Sequence, residues 1–158
     1  MENKMKIILI RGGKMKLKIF AFSLLILTSI GQSIDLTGFY GWDTGDKTKF
    51  RGISGAWKLS GNLSIEVEGA IFGKSEKSFS GGFIAGTKIS DVSPYLILGT
   101  GWKDLKVEDK EKMERFWSYG GGVKLRIFEK LWLRFDYRNM KFSSEKRYRL
   151  YGGVTYVF

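Results

Sequence analysis

From Ile34 onward, apolar and polar residues alternate along most of the chain. A sustained helical period is absent, which points to half-buried strands. In the segment 147–158, Tyr148, Leu150, Gly152, Val154, Tyr156 and Phe158 share one face, opposite Arg147, Arg149, Tyr151, Gly153, Thr155 and Val157. In 131–141, Leu131, Leu133, Phe135 and Tyr137 oppose Trp132, Arg134, Asp136 and Arg138. Trp117 to Ile127 and Leu63 to Ile71 alternate in the same way, with Lys124 and Arg126 on one polar face and Glu66 and Glu68 on the other. The pattern predicts eight strands, at about 35–44, 49–59, 62–73, 78–89, 93–102, 115–127, 131–141 and 147–158, each roughly ten residues long, as membrane strands are. The fifth is apolar on both faces. Its glycines place Gly99 and Gly101 inside.

The joins fall into two kinds. Ser60-Gly-Asn62, Ser90-Asp-Val92 and Phe128-Glu-Lys130 are tight turns. Asp46 to Thr48, Lys74 to Lys77, Lys103 to Glu114 and Ser143 to Lys146 are polar or charged loops. Turns and loops therefore gather at opposite ends of an antiparallel, up-and-down β-barrel.

Residues 1–33 read differently. A basic stretch, Lys14 to Lys18, precedes the apolar run Ile19 to Ile30 and the small residues Gly31-Gln-Ser33. That order is expected of a secretory signal peptide, and the run is too short to span a bilayer as a helix. Met15 is an alternative true start. The barrel is assigned to 34–158.

This division changes the meaning of the charge. The net +11 comes from 27 basic and 16 acidic residues. Six of the basic residues and one acid lie in 1–33, which leaves 21 and 15 beyond it. A nucleic-acid partner is not expected. Glycine, 21 of 158 residues, and aromatics at 15% are both high and suit closely approaching strands. With no cysteine there is neither a disulfide nor a thiolate metal site. With no histidine, Ser/His hydrolase chemistry is excluded. Glu66 and Glu68 have the same-face spacing of a glycosidase pair, but a narrow barrel offers no cleft for a polymer. The chain is expected to be non-enzymatic and to carry no cofactor or metal.

Two barrels fit the alternation. A soluble one turns its apolar face inward, whereas a membrane one turns it to lipid and lines the lumen with charge. The export signal without cysteines favours the membrane form. So do five tryptophans near strand ends: Trp42, Trp102 and Trp117 by the loops, Trp57 and Trp132 by the turns. These are expected to form interfacial belts. The last strand stays apolar to Phe158, as a strand paired with the first in a closed sheet would. Inside, Glu66, Glu68, Lys124, Arg126, Arg134, Asp136 and Arg138 are expected to form an ion-pair network that plugs the lumen. Lys58, Lys88 and Arg149 are further candidates.

On Pro94 to Trp102, Tyr119 to Arg126, Leu131 to Arg138 and Tyr151 to Phe158, the chain resembles the small eight-stranded outer-membrane barrels of Gram-negative bacteria, the outer-membrane-protein-A-like and opacity-protein-like group. The resemblance covers 34–158. It implies an outer-membrane location and Gly153, Tyr156 and Phe158 as the signal read by the barrel assembly machinery. Tyr151 stands where a more polar residue is usual. Outer-membrane lipid and lipopolysaccharide are the expected surroundings of a monomer. The expected role is structural, with a weak porin-like conductance. The alternative is a surface adhesin or ligand-binding barrel that presents its loops, 103–114 above all.

Overall fold

The computed structural model describes residues 33–158, except 46, 74–75, 108–109 and 144, and only the backbone at 105–107 and 110–112. The proposed leader thus lies outside the described residues, apart from Ser33. Eight strands follow: β1 (Ile34–Asp43), β2 (Thr48–Ser60), β3 (Leu63–Phe72), β4 (Glu76–Gly86), β5 (Val92–Val107), β6 (Lys110–Arg126), β7 (Leu131–Lys141) and β8 (Lys146–Val157). Each pairs antiparallel with the next, and β1 pairs with β8, so the sheet closes. The seam runs from Asp35↔Val157 to Asp43↔Arg149. The Phe158 amide extends it by donating to the Ile34 carbonyl at 2.9 Å. The buried hydroxyls of Thr37 and Thr155 meet across it at 2.8 Å. A closed sheet leaves no strand edge, which is what hydrocarbon requires, because an unpaired backbone group there costs several kcal/mol.

Turn chemistry explains the tight joins. Ile89 and Val92 exchange both backbone hydrogen bonds around Ser90, whose φ of 57° is left-handed. Gly61, at φ 41°, performs the same reversal between β2 and β3 without the Cβ penalty. The strand limits differ from the sequence reading chiefly in two places. β4 begins at Glu76 and ends at Gly86, and the chain leaves the ladder before the Ser90 turn. The segment 103–114 is not a loop throughout. β5 and β6 continue as a paired hairpin as far as Val107↔Lys110. Charge density misled here: outside the apolar zone a hairpin still satisfies its backbone by pairing, whatever its side chains.

The faces decide which kind of barrel this is. Phe135 and Val154 are 49% and 47% exposed, Leu96 and Ile53 70% and 65%. Glu66 and Arg134 are each 1% exposed. Away from the loop end, the outward face of the strands is apolar, and the ionised side chains at mid-strand point in. Gly99 and Gly101 face inward with Tyr95 and Ile97, while Leu96, Leu98 and Trp102 face outward. Such an arrangement is unstable in water and stable in a bilayer.

Candidate functional site

The interior is layered. At its centre, three carboxylates (Glu66, Glu68 and Asp136) meet three guanidiniums (Arg134, Arg138 and Arg149), and all six residues are buried. Their formal charges cancel. Strand geometry explains the grouping. Residues two apart share a face, so β7 presents Arg134, Asp136 and Arg138 together, and β3 presents Glu66 and Glu68.

Arg134 is held on three sides. It forms an ion pair with Glu66, its Nη2 donates to Asp136 Oδ2 at 2.8 Å, and its Nε donates to the Tyr95 hydroxyl at 2.7 Å. The Tyr95 hydroxyl in turn donates to Asp136 Oδ2 at 2.7 Å. Arg138 spans both halves: Nε donates to Asp136 Oδ1 at 2.8 Å, Nη2 to Glu66 Oε1 at 2.7 Å, and Nη1 lies 3.2 Å from Glu68 Oε2. It also donates to the Tyr151 hydroxyl. Arg149 donates to Glu68 Oε1 at 2.9 Å and Ser78 Oγ at 3.0 Å. Ser54 donates to Glu66 Oε2 at 3.2 Å. Among the described residues, the one buried side-chain polar atom left unpartnered is Arg149 Nε. Its guanidinium lies 4.8 and 4.5 Å from the ring centres of Phe50 and Phe72.

Those rings belong to an aromatic layer on the loop side. Phe50 and Phe72 stack at 5.0 Å, and Phe39 and Tyr151 lie 4.7 Å apart. Above them, Lys103 is fully buried, 3.3 Å from Asp43, 3.5 Å from Glu76 and 4.1 Å from the Phe72 ring centre. On the turn side, a vestibule of about 280 Å³ opens between Asp35, Lys58, Lys88, Lys124 and Trp132. Between vestibule and aromatic layer, the space beside Glu66, Glu68 and Arg138 admits no water-sized sphere. Glycine makes such packing possible. A Cβ at Gly122 would stand 2.4 Å from the Tyr95 hydroxyl, and one at Gly120 would stand 2.0 Å from the Tyr137 carbonyl oxygen.

Five of the seven expected lumen residues are therefore brought together: Glu66, Glu68, Arg134, Asp136 and Arg138. Two are not. Lys124 stands opposite Arg134 in register, but its ammonium pairs with Asp35 at 2.5 Å, toward the turn end. Arg126 is exposed at the mouth and pairs with Asp91. Both are on the inward face, where Asp35 and Asp91 supply their anions, and like charge disfavours Lys124 beside Arg134. Lys58 and Lys88 line the vestibule. The sequence reading missed Tyr95, hidden because β5 is apolar on both faces, and Tyr151, whose phenol meets the polar centre. The Lys103–Asp43–Glu76 cluster is likewise not legible in the sequence, where charge density places Lys103 in a loop.

Of the tryptophans, Trp42, Trp102 and Trp117 face outward at the loop end, 51%, 45% and 54% exposed. Trp57 faces outward near the turns. Trp132 does not belong to a belt. It points inward, 8% exposed, with Lys88 and Arg126 at 5.4 and 5.9 Å from its ring centre. Its parity with Arg134 on β7 dictates this, and nearness to a strand end says nothing of the face. At the end of β8, Tyr156 and the following Phe158 share the outward side with ring centres 4.8 Å apart. Gly153 faces inward, where a Cβ would stand 2.7 Å from the Gly38 carbonyl oxygen.

No protein-family model and no curated protein matches this chain by sequence. Solved structures match it in fold. The N-terminal β-barrel domain of Pseudomonas aeruginosa OprF superposes with a TM-score of 0.71 over 80% of this chain and 98% of that one, at 12% identity. Here the inverted faces and the neighbours agree. The protein has the fold of the small eight-stranded outer-membrane β-barrels. Yersinia pestis Ail, an outer-membrane protein solved in a phospholipid bilayer nanodisc, shares this barrel with a TM-score of 0.57, 80% and 99% coverage and 15% identity. The outer-membrane enzyme PagL does so with 0.51, 77% and 98% coverage and 12% identity. PagL corrects one expectation. The barrel was read as non-enzymatic, yet an enzyme is built on the same eight strands, so this architecture does not exclude catalysis.

Proposed function

We propose that this outer-membrane barrel is closed at rest and structural in role, its lumen blocked by the Glu66–Arg134–Asp136–Arg138–Glu68–Arg149 cluster and the aromatic layer above it. One observation carries this reading: the central space beside Glu66, Glu68 and Arg138 admits no water-sized sphere, so ions have no standing path. Conductance would require the arginines to exchange partners. Planar-bilayer recording tests the proposal. The native barrel should give no steady current, only rare brief openings, and Glu66→Gln should make openings more frequent. A steady ohmic current through the native protein would refute the closed state.

The same reading includes residues 1–33 as the export leader. It also includes Gly153, Tyr156 and Phe158 as the assembly signal, with Tyr156 and Phe158 forming the outward aromatic patch and Gly153 easing the β1–β8 seam. A monomer suffices, since the sheet closes on itself. A second reading has a specific support. The β5–β6 hairpin, with strands of 16 and 17 residues, is the longest among the described residues. Ail, named for attachment and invasion, has been solved in complex with the heparin analogue sucrose octasulfate. By this reading the hairpin presents a surface for a host or polyanionic ligand.

A further inference from the structure

The lipid-facing surface is asymmetric in charge. Among the described residues, the charged side chains on the outward face of the strands are Lys49, Arg51, Lys77, Asp104, Arg115, Lys141 and Lys146. All lie toward the loop end, and six of the seven are cationic. The turn-end half of that face carries none. Two of them form more than a rim. Arg51 pairs in register with Ile71, and Ile71 with Lys77, so the two cations flank one apolar residue in a single row. Their backbones are two strands apart, roughly 10 Å, a gap that two long side chains can close on one phosphate. Neither has an ion-pair partner among the described residues.

Both cations border an open groove of about 500 Å³ on the outer wall. Its floor is Gly69, around which a Cβ would meet nothing within 4 Å, and its sides include Ile53 and Ile71. Depth is set by a neighbour. Phe79 pairs with Trp102, and Lys77 lies one outward-facing step closer to the loops than Phe79. Tryptophan marks the interface and the step beyond it is the headgroup level, where a lipid-facing cation is far less costly than at mid-bilayer. A second outer groove, over Gly120 and Gly121 between Leu96, Leu98 and Tyr137, has no charged residue at its border.

We infer that the Arg51–Lys77 groove is a binding site for a phosphorylated acyl lipid of the outer leaflet: the phosphate sits between the two cations and one acyl chain lies over Gly69. Charge complementarity and the match of headgroup above to apolar groove below select a membrane lipid rather than free phosphate. The inference rests on the transmembrane reading above.

The test uses the full barrel in phosphatidylcholine nanodiscs containing lipid A, released into the gas phase for native mass spectrometry. The native protein should retain lipid A in preference to phosphatidylcholine, and R51Q/K77Q should lower that retention at least fivefold. K141Q/K146Q removes the same charge from a paired position on β7 and β8 that borders neither groove, and it should stay within twofold of native. Millimolar inorganic phosphate should not displace the lipid. Equal retention by R51Q/K77Q and native protein, equal loss in both double variants, or displacement by free phosphate would overturn the site. Each sample is first checked for the difference in gel migration between unboiled and boiled protein. A barrel that shows it but lacks the lipid preference refutes this site alone, and one that never shows it refutes the transmembrane reading.

Discussion

Glu66 accepts from Arg134, Arg138 and Ser54 at once. Removing it leaves two guanidiniums short of an anion inside a closely packed lumen. Breaking a buried pair by deleting one partner costs about 3–5 kcal/mol, so Glu66→Ala is expected to lower the midpoint of unfolding in detergent markedly. Removing Glu68 and Arg149 together is the informative companion, because the charges lost cancel and Arg149 Nε is already unpartnered. The Glu68→Gln, Arg149→Met double variant should be less destabilised than the sum of its single changes. Urea titration of all four proteins measures that coupling, and strict additivity would show that the two side chains do not act as a pair. Tyr95 and Tyr151 matter for the same reason as the carboxylates: their phenols pair the remaining donors and acceptors without adding charge.

At the scale of the element, the β5–β6 hairpin separates scaffold from display. Pairing between Val92↔Leu125 and Trp102↔Arg115 belongs to the barrel wall; pairing from Lys103↔Glu114 to Val107↔Lys110 extends past it. Replacing 105–112 with Asn-Gly, which favours a two-residue hairpin turn, should shorten the projection and leave Trp102, Lys103 and Glu114 in place. The shortened barrel should unfold at the native urea concentration. If the hairpin presents a polyanion surface, retention on immobilised heparin should fall at least tenfold. Unchanged retention would remove the adhesive reading and leave the structural one standing. The strand limits themselves were legible from alternation and turn residues. The hairpin was not, since its pairing is set by the partner strand and not by side-chain polarity.

At the scale of the molecule, the inversion of faces makes the clearest physical statement. Trp42, Trp102 and Trp117 should meet lipid, and Trp132 the vestibule. In vesicles, brominated lipid should quench most of the tryptophan emission. A Trp132→Phe variant should lose little of the lipid-quenched part and most of the part that iodide reaches. Strong iodide quenching of Trp42, Trp102 and Trp117 would mean that the apolar face is not in a bilayer. The gel-migration difference between unboiled and boiled protein follows from the same closure: a sheet without an edge unfolds only as a whole.

Alternation along the chain by itself determined the number of strands, their approximate limits, which residues share a face, and that both acids of β3 and all three ions of β7 point the same way. Those follow from the two-residue period of a strand, a local property that any single segment displays. What each inward side chain touches is not local. Closure and the tilt of the strands set the height of every residue inside the barrel. They carried Lys124 to Asp35 and Arg126 to Asp91, and brought Tyr95 and Tyr151 to the ions. They also set Arg51 and Lys77, 26 positions apart in the chain, on either side of one groove. Only the tertiary structure decided these, because contact across a closed sheet depends on register summed over all eight strands.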